Sequence, residues 1–373
     1  MGLKVVKFGG SSLANVESIR MVGDIINNDE ARRFVVVSAP GKCSDFPYKV
    51  TDLLIDAYAC HNNYSSCGRF DCPHKQFQSM DTLSIVFNRF RELGAGLGVD
   101  INQEIERTRE EIMMNIKNYD FVVSRGEYLM VALLSRYLGF KSLDSANYIV
   151  IKKSGKVNEQ LTAHKFSRLV NKNERVVMGG FYGSSVDGNI KTFSRGGSDY
   201  SGAIASIMMR ADMYENFTDT YGVQTANPSI VKDTKNIRKI DYKTMHRLSV
   251  AGASVIHPDC LPLLRKHNMT LKVDNTFDHG HKFTIINSEK GLNKYFCITY
   301  KFAQNINKDV AEIFAAFDGL KLDITKMREV LKGVEVYLVA IEKKSLSLIT
   351  PTDNLTEVVN KLHEYFINLE FKA

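Results

Sequence analysis

Apolar positions in the N-terminal half of the chain follow two alternating habits. Lys4 to Val6 and Phe34 to Val37 are short runs rich in β-branched and aromatic residues, the pattern of strands buried on both faces. Between them Val16, Ile19, Val22, Ile25 and Ile26 recur at helical spacing. Asn15 stands just ahead of that run as an N-cap, whose side chain can take up an orphan backbone amide. Strand, helix and strand in that order predict parallel pairing in an α/β domain. From about Thr51 to Lys117 apolar residues return every three or four positions, which predicts mostly helix. Arg175 to Phe181 reads as a strand ending in glycines, Ile204 to Met209 as a helix, and Asp212 to Phe217 as another strand.

The pattern changes near Ile286 to Leu292, where Asn287-Ser288-Glu289-Lys290-Gly291 reads as a linker. This divides the chain into residues 1–286 and 293–373. The second part reads as strand (Tyr295 to Tyr300), helix (Val310 to Ala316), strand (Lys321 to Ile324), strand (Glu335 to Ile341) and helix (Leu355 to Phe366), with a short last strand from Ile367 to Phe371. That order is βαββαβ, a ferredoxin-like α+β arrangement. It carries few reactive side chains and is assigned to binding or regulation.

Composition narrows the function classes. An apolar fraction of 44% and a charged fraction of 24% are those of an ordinary globular protein. The net charge of +7 is scattered, with only short clusters such as Arg32-Arg33 and Lys152-Lys153, so no nucleic-acid-binding arm is expected. No apolar run approaches the roughly 18 residues that would span a bilayer. No signal-peptide pattern precedes the first strand, so the expected location is the cytoplasm, with the six cysteines reduced. Cys60, His61, Cys67, Cys72 and His74 crowd one stretch and read either as a small zinc site or as a polar insertion between helices. They form no clean CxxC pair, and no metal ligand is assigned.

Four segments carry chemistry. Lys7-Phe8-Gly9-Gly10-Ser11-Ser12 follows a strand and precedes a helix. Glycines there let backbone amides approach phosphate oxygens, and Lys7 can stabilise charge on a transferring phosphoryl group. The GxxxxGK[ST] spacing of a Walker A loop is absent. In Thr192-Phe193-Ser194-Arg195-Gly196-Gly197-Ser198-Asp199, Arg195 can hold a carboxylate through two hydrogen bonds, Ser198 can hold an oxygen, and Asp199 can orient Lys7. The same segment also reads as a capping turn. Ser124-Arg125-Gly126-Glu127 offers a carboxylate for an ammonium group, although a glutamate at a helix start is usually only an exposed side chain. Phe217-Thr218-Asp219-Thr220-Tyr221-Gly222 ends a strand where nucleotide contacts commonly fall.

Taken together and in this order, these segments resemble the aspartokinases over nearly the whole chain. The opening motifs of that family are matched by Val5 to Ala14, by Val35-Val36-Val37-Ser38-Ala39-Pro40-Gly41-Lys42 and by Lys49-Val50-Thr51-Asp52-Leu53-Leu54. Phe193 to Asp199, Tyr214 to Asp219 and Asn227-Pro228-Ser229 are similar to its monofunctional, lysine-sensitive branch. The resemblance implies an amino-acid-kinase three-layer α/β sandwich followed by a ferredoxin-like (ACT) α+β domain, with one such unit where the family usually has two. It implies phosphorylation of L-aspartate by ATP with Mg2+. It assigns Lys7 and Asp199 to catalysis and Thr51, Glu127, Arg195 and Ser198 to the substrate. Gly9, Gly10, Ser11, Thr218 and Asp219 go to the nucleotide, and the ACT-like domain to homodimer or higher self-association. The rival readings are a diverged relative that binds an amino acid and regulates, and a glutamate or carbamate kinase. The paired Lys-Phe-Gly-Gly-Ser-Ser and Phe-Ser-Arg-Gly-Gly-Ser-Asp motifs argue against the latter.

Overall fold

Five parallel strands organise the first of two compact units, Met1–Asp219 and Thr220–Ala373. The computed structural model describes residues 2–62, 79–169, 171, 173–193, 196–289, 294–303 and 310–371. The first unit runs β1 (Lys4–Phe8), α1 (Val16–Asn27), β2 (Arg32–Val37), α2 (Val50–His61), α3 (Ser79–Leu97), α4 (Asn102–Met114), α5 (Tyr119–Leu138) and β3 (Lys141–Leu143). It continues with α6 (Glu159–Leu169), β4 (Val176–Gly179), a hairpin of β5 (Tyr182–Ser184) and β6 (Ile190–Thr192), α7 (Gly197–Met208) and β7 (Met213–Thr218).

The strands lie in the order β3-β4-β2-β1-β7 and every pair is parallel. From β1 the chain adds β2 on one side, goes on to the edge at β3 and returns to place β4 between β3 and β2; within this unit only β7 lies on the other side of β1. The order therefore reverses between β1 and β7, where an open α/β sheet forms its ligand crevice at the strands' carboxyl ends. Alternate residues divide between two apolar layers. Val6, Phe8, Val35, Val37, Val177 and Phe217 join the cluster built by α1 to α5. On the other face Phe34 stacks on Phe166 of α6, and α7 packs against β1 and β7. The predicted cap is present: Asn15 Oδ1 accepts the Ser18 amide at 2.8 Å. Across the sheet, Arg32 on β2 meets Glu215 on β7 at 2.7 Å and also donates to the Ile25 carbonyl at 2.6 Å, all of it buried.

The second unit runs β8 (Lys239–Asp241), α8 (Tyr242–Val250), α9 (Cys260–Lys266), β9 (Leu271–Asn275), β10 (Phe283–Asn287), β11 (Tyr295–Phe302) and β12 (Val310–Asp318). Then follow α10 (Ile324–Val330), β13 (Tyr337–Glu342), β14 (Ser345–Pro351) and α11 (Leu355–Phe371). Strand β10 pairs antiparallel with β9 and parallel with β8. The last four strands form a separate antiparallel sheet in the order β11-β12-β14-β13. Its inner face packs on Met327 of α10 and on Val358, Val359, Leu362 and Phe366 of α11.

The α+β class of this C-terminal part agrees with expectation, but its order of elements does not. Val310 to Ala316, expected as a helix, is strand β12. Ala311, Ile313, Ala315 and Phe317 point inward at a period of two, which the helix-favouring Ala and Glu residues conceal. Lys321 to Ile324 is not a strand: Asp323 caps α10 by accepting the Lys326 amide. Ile367 to Phe371 continues α11. The sequence order there is ββαββα. The segment Asn287 to Gly291 falls inside the second compact unit, and residues 290–293 lie outside the described residues. So do Cys67, Cys72 and His74 of the possible zinc group. Among the described residues no three His, Cys, Asp or Glu side chains group as metal ligands, and no helix is long and apolar enough to cross a membrane.

Breaking a buried ion pair strands a charge, whereas replacing both partners does not. We therefore expect Arg32→Met to lower unfolding free energy by about 3–5 kcal/mol, and Arg32→Met with Glu215→Leu to recover most of the loss. Urea titration of the three proteins checks this. Equal stability of the single and double variants would show that removing Glu215 relieves no stranded charge.

Candidate active site

Lys7 is the fourth residue of β1 and shares the parity of Val5, so its side chain emerges on the α7 face of the sheet. It is only 7% exposed. Its Nζ lies 2.6 Å from Oδ1 of Asp199, in the first turn of α7. Two residues of β7 hold Asp199 from the same face. Asn216, in register with Lys7, donates to Asp199 Oδ1 at 3.1 Å. The Tyr214 hydroxyl donates to the Asp199 carbonyl at 3.1 Å. The turn that brings α7 here depends on Gly196, whose φ of 79° is one that side chains rarely adopt.

Beyond β1 and β2 the backbones of two loops touch. The Gly41 amide donates to the Gly10 carbonyl at 2.8 Å. A Cβ on Gly41 would sit 2.6 Å from the Gly10 carbonyl carbon, and one on Gly10 would sit 2.9 Å from the Ala39 oxygen. The Gly9 amide donates to the Phe217 carbonyl at 3.2 Å, closing β1 onto β7. Ser11 opens a short 3₁₀ turn, Ser11–Leu13. Thr51 lies in the first turn of α2, whose Val50 amide is held by the Pro40 carbonyl at 3.1 Å.

Glu127 is not at a helix start, as its motif suggested, but lies inside the twenty-residue helix α5, and it is buried. Its Oε1 accepts the Ala39 amide at 3.1 Å, and its Oε2 is buried with no hydrogen-bond partner. Burial pushes its pKa from the ordinary 4.5 to about 8, against the opposing pull of the Ala39 amide and the Arg125 charge. Gly126 lets α5 approach, since a Cβ there would be 2.8 Å from the Ala39 Cβ and 3.0 Å from Val50. Gly179, at the end of β4, passes beside the Glu127 Cβ, and a Cβ on Gly180 would collide with Ser198 at 2.7 Å.

These contacts form a ring at the carboxyl ends of β1, β2 and β4: Lys7 to Asp199, Ser198 to Gly180, Gly179 to Glu127, Glu127 to Ala39, and Ala39 to Gly10. It brings a cation, glycine backbone and a half-satisfied carboxylate to the end of the sheet where a fold of this kind forms its ligand crevice. Thr218 ends β7 and Asp219 follows it, with the Thr218 hydroxyl donating to Asp219 Oδ1 at 3.2 Å. Arg195 lies outside the described residues.

Sequence reasoning missed Asn216, the Ala39 amide and the clearance at Gly41 and Gly180. Asn216 had a signal: with Glu215 it is a polar residue inside the strand run Tyr214 to Phe217, all of which is buried. Arg125 was passed over as well. It is buried, its guanidinium lies over the Phe121 and Tyr128 rings at 4.4 and 4.7 Å, and it donates to the Ser124 hydroxyl at 3.0 Å.

A raised carboxyl pKa means that the native state keeps a proton the unfolded chain releases above its ordinary value. Stability contributed by that proton is full below pH 4.5 and is lost as pH rises through about 8. Glu127→Gln has no such loss. Its stability advantage over the parent is expected to widen between pH 5 and pH 8 by up to about 1.4 kcal/mol per pH unit. Denaturant unfolding across that range measures it, and a gap that does not change with pH would contradict a raised Glu127 pKa.

The sequence profile of the amino acid kinase family matches residues 2–275. The chain is 30% identical to aspartokinase 3 of Bacillus subtilis, over 97% of this chain and 82% of that protein. It is 25% identical to the aspartokinase of Rickettsia felis over 78% of this chain, but spans only 62% of that relative. Among solved structures, the aspartate kinase of Clostridium acetobutylicum superposes with a TM-score of 0.82 at 26% identity, covering 97% of this chain and 99% of that one. Aspartokinase III of E. coli, crystallised with aspartate and ADP, shares the fold with a TM-score of 0.81 at 18% identity, covering 97% and 99%. The chain belongs to the amino acid kinase family and, within it, to the aspartokinases.

Proposed function

We propose that the chain transfers the γ-phosphoryl group of ATP to the side-chain carboxylate of L-aspartate, giving 4-phospho-L-aspartate and ADP, the first step toward lysine, threonine and methionine. The observation that carries this reading is the pairing, on one ring, of the Lys7–Asp199 contact with the unsatisfied Oε2 of Glu127. A buried carboxylate lacking a partner suits an ammonium group, and the aspartate α-ammonium is the one offered. Arg195, Ser198 and Thr51 would hold the substrate carboxylates. The side-chain oxygen attacks the γ-phosphorus while the bond to the β,γ-bridging oxygen breaks and ADP leaves. No covalent protein intermediate is needed, because positioning and charge stabilisation suffice.

Lys7 answers the negative charge that shifts during transfer, and Asp199 keeps the Lys7 side chain on the α7 face. Gly9, Gly10 and Ser11 supply backbone close enough for phosphate oxygens, with Thr218 and Asp219 on the nucleotide side. The described residues hold no cluster of three metal ligands. Mg2+ would enter with the nucleotide and would neutralise phosphate charge during transfer. The reading places the protein in the cytoplasm.

Self-association through the second unit belongs to the same proposal. Strand β13 is an edge strand exposed along its whole length, with Tyr337 60% and Val339 58% exposed. An edge of this kind is a template for another chain, and two-fold antiparallel pairing of β13 with its copy would set Glu335 opposite Lys343 about Val339.

Lys7→Ala is expected to lower kcat by about 10²–10³-fold and to change the aspartate KM much less. Coupled ADP-release kinetics measure this, and a near-normal kcat would end the assignment of Lys7. Val339→Lys is expected to shift the chain toward monomer in sedimentation velocity at equal concentration. An unchanged sedimentation coefficient would remove β13 as the self-association edge.

A further inference from the structure

The second unit contains a recess of about 660 Å³ between the start of α8, helix α9 and the two-residue turn Lys343-Lys344 that joins β13 to β14. Its wall carries five cations, Lys243, Arg247, Arg265, Lys343 and Lys344, and three carboxylates, Asp241, Asp318 and Glu342. The carboxylates are already committed. Asp241 caps α8, accepting the Lys243 and Thr244 amides at 2.9 and 3.0 Å and the Thr244 hydroxyl at 2.7 Å. Asp318 takes Lys344 at 2.6 Å and the Gly319 amide at 2.9 Å. Glu342 takes Arg247 at 2.6 Å and the Ser345 hydroxyl at 2.9 Å.

With those two ion pairs set aside, Lys243, Arg265 and Lys343 remain, none of them in an ion pair with a carboxylate among the described residues. Against the single charge of Asp241 they leave a surplus of two positive charges in one concavity. Tyr242, the first residue of α8, lines the same recess. It is 2% exposed, and its hydroxyl is buried without a hydrogen-bond partner. A buried donor left unsatisfied costs about 1–3 kcal/mol, so an acceptor arriving there is favoured.

We propose that this recess binds a small phosphate-bearing anion, held by Lys243, Lys343 and Arg265, with the Tyr242 hydroxyl donating to one of its oxygens. The charge of a phosphate dianion matches the surplus of two. The donors come from α8, α9 and the β13–β14 turn, and the tetrahedral oxygens of phosphate can meet donors converging from several directions. A planar carboxylate would be met by a single guanidinium fork, that of Arg265, and would leave Lys243 and Lys343 unused. None of the residues assigned to phosphoryl transfer takes part, so the site stands whether or not the proposed reaction is right.

The test is calorimetric titration of the full chain at constant ionic strength and mildly alkaline pH, where inorganic phosphate, the probe, is mostly a dianion, with malonate as a dicarboxylate dianion of equal charge. Phosphate binding by the catalytic crevice is separated by variants. The triple variant Lys243→Ala, Arg265→Ala and Lys343→Ala is expected to lose a phosphate-binding event that Lys7→Ala retains, with affinity down about a hundredfold or more. The triple variant's KM values for ATP and aspartate should stay at parental values. Tyr242→Phe, which keeps the ring and its packing, is expected to weaken phosphate about tenfold. An unaltered near-ultraviolet circular dichroism spectrum establishes that the variants are folded. A phosphate isotherm identical in the parent and the triple variant would overturn the proposal, as would malonate binding as tightly as phosphate.

Discussion

An ammonium group cannot stand inside a parallel sheet without a counter-charge, because the interior does not replace its water. The first unit is built around meeting that demand for Lys7. Its strand lies where the strand order reverses, so the side chain comes out at the one crevice an open sheet of this kind provides. Asp199 must then arrive from α7, which needs the Gly196 turn and the space Gly180 leaves beside Ser198. Strand β7 fixes the arrangement from behind, through Asn216 on the carboxylate and Tyr214 on the carbonyl. Moving any of these elements would leave a charge buried alone.

The same region shows how close approach and chemistry share one solution. Glycines 10 and 41 press two loops together because neither has a Cβ, and that contact sets Ala39 where its amide meets Glu127. Gly126 lets the α5 backbone come near enough for the carboxylate to enter the ring. Packing that excludes water from Glu127 also raises the energy of its charged form, so the group suited to an ammonium partner is expensive to hold without one. The Arg32–Glu215 pair is the contrasting case: each partner is satisfied at rest, and it contributes architecture rather than chemistry.

Much of the first unit was legible in the sequence, because there local pattern and tertiary environment agree. The runs at Lys4 to Val6 and Phe34 to Val37 became central strands, and Asn15 capped the helix its spacing announced. Lys7 and Asp199 stood in motifs whose glycines declared a close backbone approach, although only the folded chain brings the two within 2.6 Å. The C-terminal unit was less legible. Val310 to Asp318 carries alanines and glutamate that favour helix, and only pairing with β11 and β14 makes its period of two decisive. Glu127 was singled out by its motif but misjudged in environment, because nothing near it in sequence reveals that α2 and the Ala39 loop cover it. Asn216 and the Ala39 amide act through partners far away along the chain, which no local pattern records.

The unpaired oxygen of Glu127 carries a consequence for proton traffic. With a pKa of about 8, this side chain is mostly a neutral acid in the empty crevice at pH 7. A ligand that docks an ammonium against it favours the carboxylate, so the acid gives up its proton to the solvent as the ligand enters. Occupancy of the crevice is therefore linked to release of close to one proton per site, and the heat of binding takes on the ionisation enthalpy of whichever buffer receives it. Acidification below that pKa competes with the ligand directly. For a ligand of that kind local pH acts as a competitor, through a side chain that exchanges only a proton.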